Sequence, residues 1–389
     1  LVNTAAAPRV AFFSDCFYET NGVALTARQF QSFAARNRLP FFSLHPGGET
    51  RTLQEDNLTV HELANSKVSF ALDSDLHFDL MAWKHRRTIL QSLRQFQPDL
   101  VHITGPGHVG ILGAYLAHEL HVPLVASWHT NVHEFGARRL EKSLSFLGKS
   151  LTGSIGRLAE RLSLTATLRF YEIARKLFAP NPDLIQLLRN RTGRPTYYMG
   201  RGVDTSIFSP CKRKRSDDVF VMGFVGRLTP EKNVRFLAEI EAALLEAGTR
   251  PFRFTVIGQG SEREWLQANL KHAEFPGVLK GEALAQAYAN MDLFVFPSKT
   301  DTFGNVVQEA LASGVPAVVT AEGGPKYIVR SGESGLVAAS DKAFVRCVLD
   351  LIRDRELHQQ MRRTARTQAC DSTWDHVFES VYSAYETKV

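Results

Sequence analysis

Two carboxylates, Asp301 and Glu309, stand eight residues apart on either side of Gly304 in the stretch from Ser298 to Pro316. An apolar run, Leu293 to Phe296, precedes them and a helical pattern follows, which puts Asp301 in a loop after a strand and Glu309 two turns into a helix. A carboxylate on an otherwise apolar helix face is costly unless it has a partner, and the diol of a ribose is such a partner. A second constellation, Gly226-Arg227-Leu228-Thr229-Pro230-Glu231-Lys232-Asn233, follows the run Met222 to Val225. A glycine turn before a helix, carrying Arg227 and Lys232 five residues apart, offers backbone N–H groups, a helix dipole and two cations to a diphosphate. Either cation alone reads as an ordinary surface charge. Together after an apolar strand they read as an anion clamp.

Other phosphate and metal chemistries lose support. The P-loop pattern G-x-x-x-x-G-K-[ST] is absent, and no G-x-G-x-x-G opens either half. His129 and His133 are four apart but lack the glutamate of H-E-x-x-H, so no metal is expected and His133 reads as structural. Cys16, Cys211, Cys347 and Cys370 are widely spaced without a C-x-x-C, which disfavours a disulfide framework and suggests a reducing cytosol.

The elements that position these groups repeat along the chain. Short apolar runs at Val10–Phe13, Phe41–Leu44, Leu100–Ile103, Leu124–Ser127 and Leu177–Ala179 alternate with helical patterns. A second series follows at Phe220–Val225, Phe252–Ile257, Leu293–Phe296, Ala317–Val319 and Gly335–Val337. Strands alternating with helices mean parallel sheets, so the chain reads as two doubly wound α/β domains, with ligands at the carboxyl ends of their strands. The expected division is residues 1–199 with a returning helix at 372–389, and residues 200–371. Near the join, Lys212-Arg213-Lys214-Arg215 reads as a solvated loop.

Asp301 and Glu309 resemble the acidic pair, separated by seven residues, of the retaining glycosyltransferases with the two-Rossmann GT-B fold, whose first member is usually Glu. The resemblance extends over nearly the whole chain. Asn21-Gly22-Val23 resembles that family's glycine loop facing the donor diphosphate, and Ser127-Trp128-His129-Thr130-Asn131 the segment carrying a histidine near the reacting sugar. Gly202-Val203-Asp204 and Phe208 are similar to its interdomain linker, Gly226, Arg227 and Lys232 to its diphosphate clamp, and Trp374 to Tyr385 to its last helix, which crosses back to the first domain. Gly258, Gly260 and Gly281 are similar to its nucleobase-side turns, and Gly323-Gly324 to a further donor-side turn. The resemblance implies two Rossmann-like domains facing across a cleft. It also implies a nucleotide-diphosphate sugar as substrate rather than a cofactor, and GDP-mannose ranks slightly above UDP-glucose. Glu309 would hold the ribose, Asp301 and the N–H groups of Phe303, Gly304 and Asn305 the sugar hydroxyls, and Arg227 and Lys232 the leaving phosphates. His129 would face the sugar. A nucleotide-sugar epimerase on the same fold is the alternative enzyme.

Composition bounds the partner. The net charge of +6 lies entirely in residues 1–200, which hold 22 Lys and Arg against 16 Asp and Glu, along with 10 of the 13 histidines. Such a half suits phosphate groups, nucleic acid or anionic lipid. The absence of aromatic-basic RNA motifs and the neutral second half argue against nucleic acid. No apolar run approaches a membrane span, and the amino end lacks a signal-peptide layout. Leucines at 140, 144, 147, 151, 158 and 162 recur at helical steps among Arg138, Arg139, Lys142, Lys149, Arg157 and Arg161. This basic amphipathic pattern suits the surface of an anionic membrane, and with it a lipid-linked or glycan acceptor and a cytoplasmic, peripheral location. Replacing Arg138, Arg139 and Lys142 with Glu is expected to release the protein from anionic vesicles in flotation, with nucleotide affinity kept. Each basic residue contributes about 1 kcal/mol at such a surface. Wild-type protein that ignores the vesicles would refute the reading.

Overall fold

Val10-Ala11-Phe12-Phe13 leaves no face for water, so this strand belongs inside a sheet covered on both sides. The computed structural model of the chain describes residues 7–129 and 161–387, apart from residues 20, 65, 67–69, 74 and 75. It divides into two units, residues 1–200 with 377–389, and residues 201–376. The basic amphipathic segment lies outside the described residues up to 160, as do Thr130, Asn131 and His133.

In the first unit, β1 (Val10–Phe13) is followed by β2 (Phe41–Gly47), β3 (Arg51–Glu55) and β4 (Leu58–Ala64). Then come β5 (Phe70–Asp73), β6 (Leu76–Phe78), β7 (Leu100–Ile103), β8 (Leu124–Ser127), β9 (Lys176–Ala179) and β10 (Thr196–Tyr198). Eight of them form one sheet in the order β10-β9-β8-β7-β1-β2-β4-β3. All its pairings are parallel except that of β3 with β4, and β3 is an exposed edge. The helices are α1 (Gly22–Arg36), α2 (Arg86–Phe96), α3 (His108–Glu119), α4 (161–171) and α5 (Pro182–Thr192).

In the second unit, β11 (Phe220–Val225), β12 (Phe252–Ile257), β13 (Ala273–Gly277), β14 (Leu293–Phe296), β15 (Ala317–Thr320) and β16 (Gly335–Ala338) form a wholly parallel sheet. Their order is β13-β12-β11-β14-β15-β16, the doubly wound order in which the first strand sits between the second and the fourth. Its helices are α6 (Phe236–Glu246), α7 (Arg263–Asn269), α8 (Gly281–Ala289), α9 (Asn305–Ala312), α10 (Asp341–Arg353) and α11 (Arg355–Cys370), while α12 (Trp374–Glu386) belongs from Val377 onward to the first unit.

All ten apolar runs read from the sequence are strands. β3, β4, β10, β13 and the β5–β6 hairpin escaped that reading because their polarity is mixed; β13 even contains Pro276, which an edge strand tolerates. Lys176 is buried, and its ammonium donates to Ala384 O at 2.8 Å and Tyr385 O at 2.9 Å, meeting the open carbonyls of α12. On the same helix, Phe378 stacks on Phe30 with centroids 4.4 Å apart.

The run Lys212–Arg215 is a solvated loop only in part: Lys214 is exposed, but the two arginines turn inward. Arg213 Nη2 and Arg215 Nη1 meet the two carboxylate oxygens of Asp292 at 2.8 and 3.1 Å, and Arg362 approaches at 3.5 Å. Val221 N–H donates to Asp292 at 2.9 Å, so one carboxylate joins the starts of β11 and β14, the arginine strap and α11. Burial pushes the Asp292 carboxyl up, but the Val221 N–H and the arginines outweigh it and hold the group below its usual range. Its contribution is therefore present above the unfolded carboxylate range and is lost as pH falls through the lowered folded value. Asp292→Ala, which strands partly buried guanidinia, is expected to cost about 3 kcal/mol in urea unfolding at neutral pH. A variant as stable as wild type would show that the arginines find equivalent partners in water.

Candidate active site

A sheet wound outward from its first strand has a crevice where the first and fourth strands adjoin, because the loops leaving their carboxyl ends run to opposite faces. In the second unit those strands are β11 and β14. The loop after β11 carries Gly226, Arg227 and Lys232, and the loop after β14 carries Asp301, Phe303 and Gly304. Lys232 Nζ meets Asp301 Oδ1 at 2.6 Å, with both side chains largely shielded from water. The other carboxylate oxygen, Asp301 Oδ2, is buried and accepts no hydrogen bond. A buried acceptor without a donor costs roughly 1–3 kcal/mol, a cost that a hydroxyl group entering the crevice would remove. Arg227 is more exposed and approaches Glu231 at 3.8 Å.

Close backbone approach holds these loops. A Cβ on Gly258 would lie 1.9 Å from Gly226 O, and Gly226 N–H donates to Ile257 O at 3.0 Å, so the turns after β11 and β12 touch without side chains between them. Gly260 lies equally close to Leu228. Gly324 N–H donates to Asp301 O at 2.7 Å, and a Cβ there would meet Thr302 O at 2.0 Å. The Gly323-Gly324 turn thus braces the Asp301 loop from behind. Phe303 is buried with the Arg201 guanidinium 6.0 Å over its ring, and Gly304 leads into α9 at Asn305, whose first N–H groups have no intrahelical acceptor.

Glu309, half-buried on α9, accepts a 2.9 Å hydrogen bond from the Tyr288 hydroxyl on α8. Burial raises its carboxyl to about 7, and the Tyr288 bond opposes that rise. Burial and the neighbouring carboxylate also push the Tyr288 hydroxyl well up. Sequence reasoning missed Tyr288. Its signal was a tyrosine on an Ala-rich apolar helix, where a buried hydroxyl needs a partner.

The first unit has the equivalent crevice between β1 and β7. Asn21 caps α1 by accepting from Ala24 N–H at 2.9 Å, which leaves the N–H groups of Gly22 and Val23 outside the helix's own bonding. His129, just beyond β8, is buried with Nε2 2.6 Å from Ser127 Oγ. A residue absent from the sequence reading, Asp15, sits in the crevice itself. It accepts from Val109 N–H at 2.8 Å, with His108 at 3.9 Å, and burial raises its carboxyl despite both contacts. Among the described residues, no three His, Cys, Asp or Glu side chains converge as metal ligands, and no helix is long and apolar enough to cross a membrane.

Two Rossmann-like parallel sheets, one with a cation–carboxylate pair in its switch-point crevice, define a glycosyltransferase of the GT-B class. The description "Glycosyltransferase Family 4" matches residues 27–207 and "Glycosyl transferases group 1" matches residues 219–354, and the chain belongs to this family of glycosyltransferases. It is 33% identical over 311 residues to a GDP-mannose-dependent alpha-mannosyltransferase of Mycolicibacterium smegmatis, covering 77% of this chain and 76% of that one. A GDP-mannose-dependent alpha-mannosyltransferase of Corynebacterium glutamicum is 30% identical over 308 residues, covering 77% and 70%. In fold it is similar to a sucrose-phosphate synthase from Thermosynechococcus elongatus, with TM-score 0.71, 16% identity and 97% and 98% of the two chains covered.

The raised Glu309 carboxyl has a measurable consequence. Below the unfolded value of 4.5 the group is neutral in both states. As pH rises toward about 7 the unfolded chain ionises first, and stability falls by up to about 3 kcal/mol before levelling off. Glu309→Gln is therefore expected to be more stable than wild type at about pH 8 and equal to it at about pH 4, measured by denaturant unfolding. Equal stability of the two proteins at the higher pH would show that ionised Glu309 carries no burial cost.

Proposed function

We propose that the chain is a retaining mannosyltransferase that takes mannose from GDP-mannose and transfers it to a hydroxyl of a lipid-linked or membrane-proximal acceptor, without a metal. The observation that carries this reading is the Lys232–Asp301 contact of 2.6 Å. In a nucleotide sugar the diphosphate and the hexose meet at the anomeric carbon, so a phosphate-seeking cation and a hydroxyl-seeking carboxylate must lie within one residue's reach of each other. The choice of GDP-mannose rests on the donor of the two mannosyltransferases to which the chain is similar. The lipid acceptor rests on the basic amphipathic pattern of residues 138–162.

In this reading Glu309 holds the ribose diol, Asp301 and the N–H groups at the start of α9 hold the mannose hydroxyls, and Arg227 and Lys232 neutralise the departing diphosphate. The bond from C1 to the diphosphate oxygen breaks while the acceptor oxygen bonds to C1 on the same face, and the acceptor proton passes to the leaving phosphate oxygen. Charge developing on that oxygen is met by cations already in place, which is the main catalytic effect.

The residues should fail differently. Lys232→Ala and Arg227→Ala are each expected to lower kcat/KM by roughly 2 to 4 kcal/mol of transition-state energy. Glu309→Gln should mainly weaken GDP binding in calorimetry, while Asp301→Asn should keep GDP affinity and lose transfer from GDP-mannose. Equal loss of GDP affinity in the two carboxylate variants would sink this division of roles, and unchanged kcat/KM in both cation variants would sink the clamp.

A further inference from the structure

The second unit has another charged cavity, at the edge of the sheet where the strands begin rather than end. It encloses about 330 Å³ beside the starts of β11, β12 and β14, and Arg213, Arg250, Arg355, Arg362 and His358 line it. The donor-side loops after β11, β12 and β14 leave the opposite edge. This cavity is therefore separate from the Lys232–Asp301 crevice.

Its charges do not balance. Arg213, Arg215 and Arg362 are engaged by Asp292, and Arg215 also holds Asp217 at 2.6 Å. Asp218 is the one further carboxylate in the lining. Among the lining residues the four guanidinia of Arg213, Arg250, Arg355 and Arg362 thus face the three carboxylates of Asp217, Asp218 and Asp292, a surplus of one positive charge. The surplus lies at Arg250 and Arg355. Neither has an ion pair among the described residues, and the Arg250 Nε is buried without an acceptor while its guanidinium lies 4.5 Å over the Phe220 ring. Burial, followed by the charge of Arg355, pulls the Arg250 guanidinium below its usual range against the opposing charges of Asp292 and Asp218. Arg355 is also the first residue of the sixteen-residue helix α11, whose positive dipole end is met there by the Asp354 cap and by Glu356 in the first turn.

We propose that this cavity is a second anion site of the protein, taking a phosphate group between Arg250 and Arg355. Planar guanidinia suit the paired oxygens of a phosphate, and the orphaned Arg250 Nε is a donor already desolvated. The phosphate belongs either to a soluble ester or to a phospholipid headgroup. The two share their recognition chemistry and differ in how they are presented.

Equilibrium dialysis of the full chain with radiolabelled inorganic phosphate, at constant ionic strength, tests the site. Saturable binding is expected in wild type and in Lys232→Ala, and a weakening of roughly tenfold or more in Arg355→Glu and Arg250→Gln. Arg355 is exposed, and an acidic residue suits the first turn of a helix, so Arg355→Glu should keep the wild-type unfolding midpoint and separate lost binding from lost fold. Sedimentation with phosphatidylcholine vesicles, with and without phosphatidic acid, identifies the source. Binding to phosphatidic acid that Arg355→Glu abolishes assigns a headgroup, and saturable free phosphate without it assigns a soluble ester. Phosphate and vesicle binding that are both absent, or that both survive in Arg355→Glu and Arg250→Gln, would overturn the proposal. Loss of phosphate binding in Lys232→Ala alone would do the same, because it would place the anion in the donor crevice.

Discussion

A parallel sheet that grows in both directions from its first strand leaves one place where two neighbouring strand ends send their chains to opposite faces. Nothing packs across that gap from within the sheet, so the loops on its two sides meet each other instead. In the second unit they meet through Lys232 and Asp301. The rest of the site depends on this contact. The Gly226–Gly258 approach fixes one loop against the next strand end, the Gly323-Gly324 turn fixes the other, and α9 carries Glu309 away from the same point. Glycine is required where these loops touch, because any Cβ would separate them by more than a hydrogen bond allows.

The two edges of this sheet treat their carboxylates in opposite ways. Asp292, where the strands begin, has its oxygens met by a backbone N–H and guanidinia, and its acidity is strengthened despite burial. Asp301 and Glu309, where the strands end, are under-served: one oxygen of Asp301 has no donor, and Glu309 has a single neutral hydroxyl against its burial. A fold selected only for stability would not leave carboxylates so. Structure is secured at one edge, and unsatisfied polar capacity is held at the other.

The Arg250–Arg355 cavity shows the same incompleteness with the sign reversed. At Asp292 the cations outnumber what one carboxylate needs, and those beyond its reach keep their charge without a partner. One edge of the sheet thus lacks donors and the other carries cations in excess of its carboxylates.

Much of this was legible in the chain. Runs such as Val10–Phe13 and Leu293–Phe296 declare buried strands because no residue in them tolerates water, and their alternation with helices dictates parallel sheets. The order of glycine turns, cations and carboxylates was enough to place the family. Strands of mixed polarity were not legible, since β4 with its His61 and Glu62, and β13 with its Pro276, are strands only because a neighbour pairs with them. Nor were the contacts that give the site its character. Lys232 and Asp301 are 69 residues apart in the chain, Tyr288 and Glu309 21 apart, and Arg213 and Asp292 79 apart. Composition and periodicity record how each segment meets water, and so determine what each element is. Which strand lies beside which, and therefore which charge meets which, is decided only when the sheet closes around its first strand, because that adjacency depends on the packing of all the elements together.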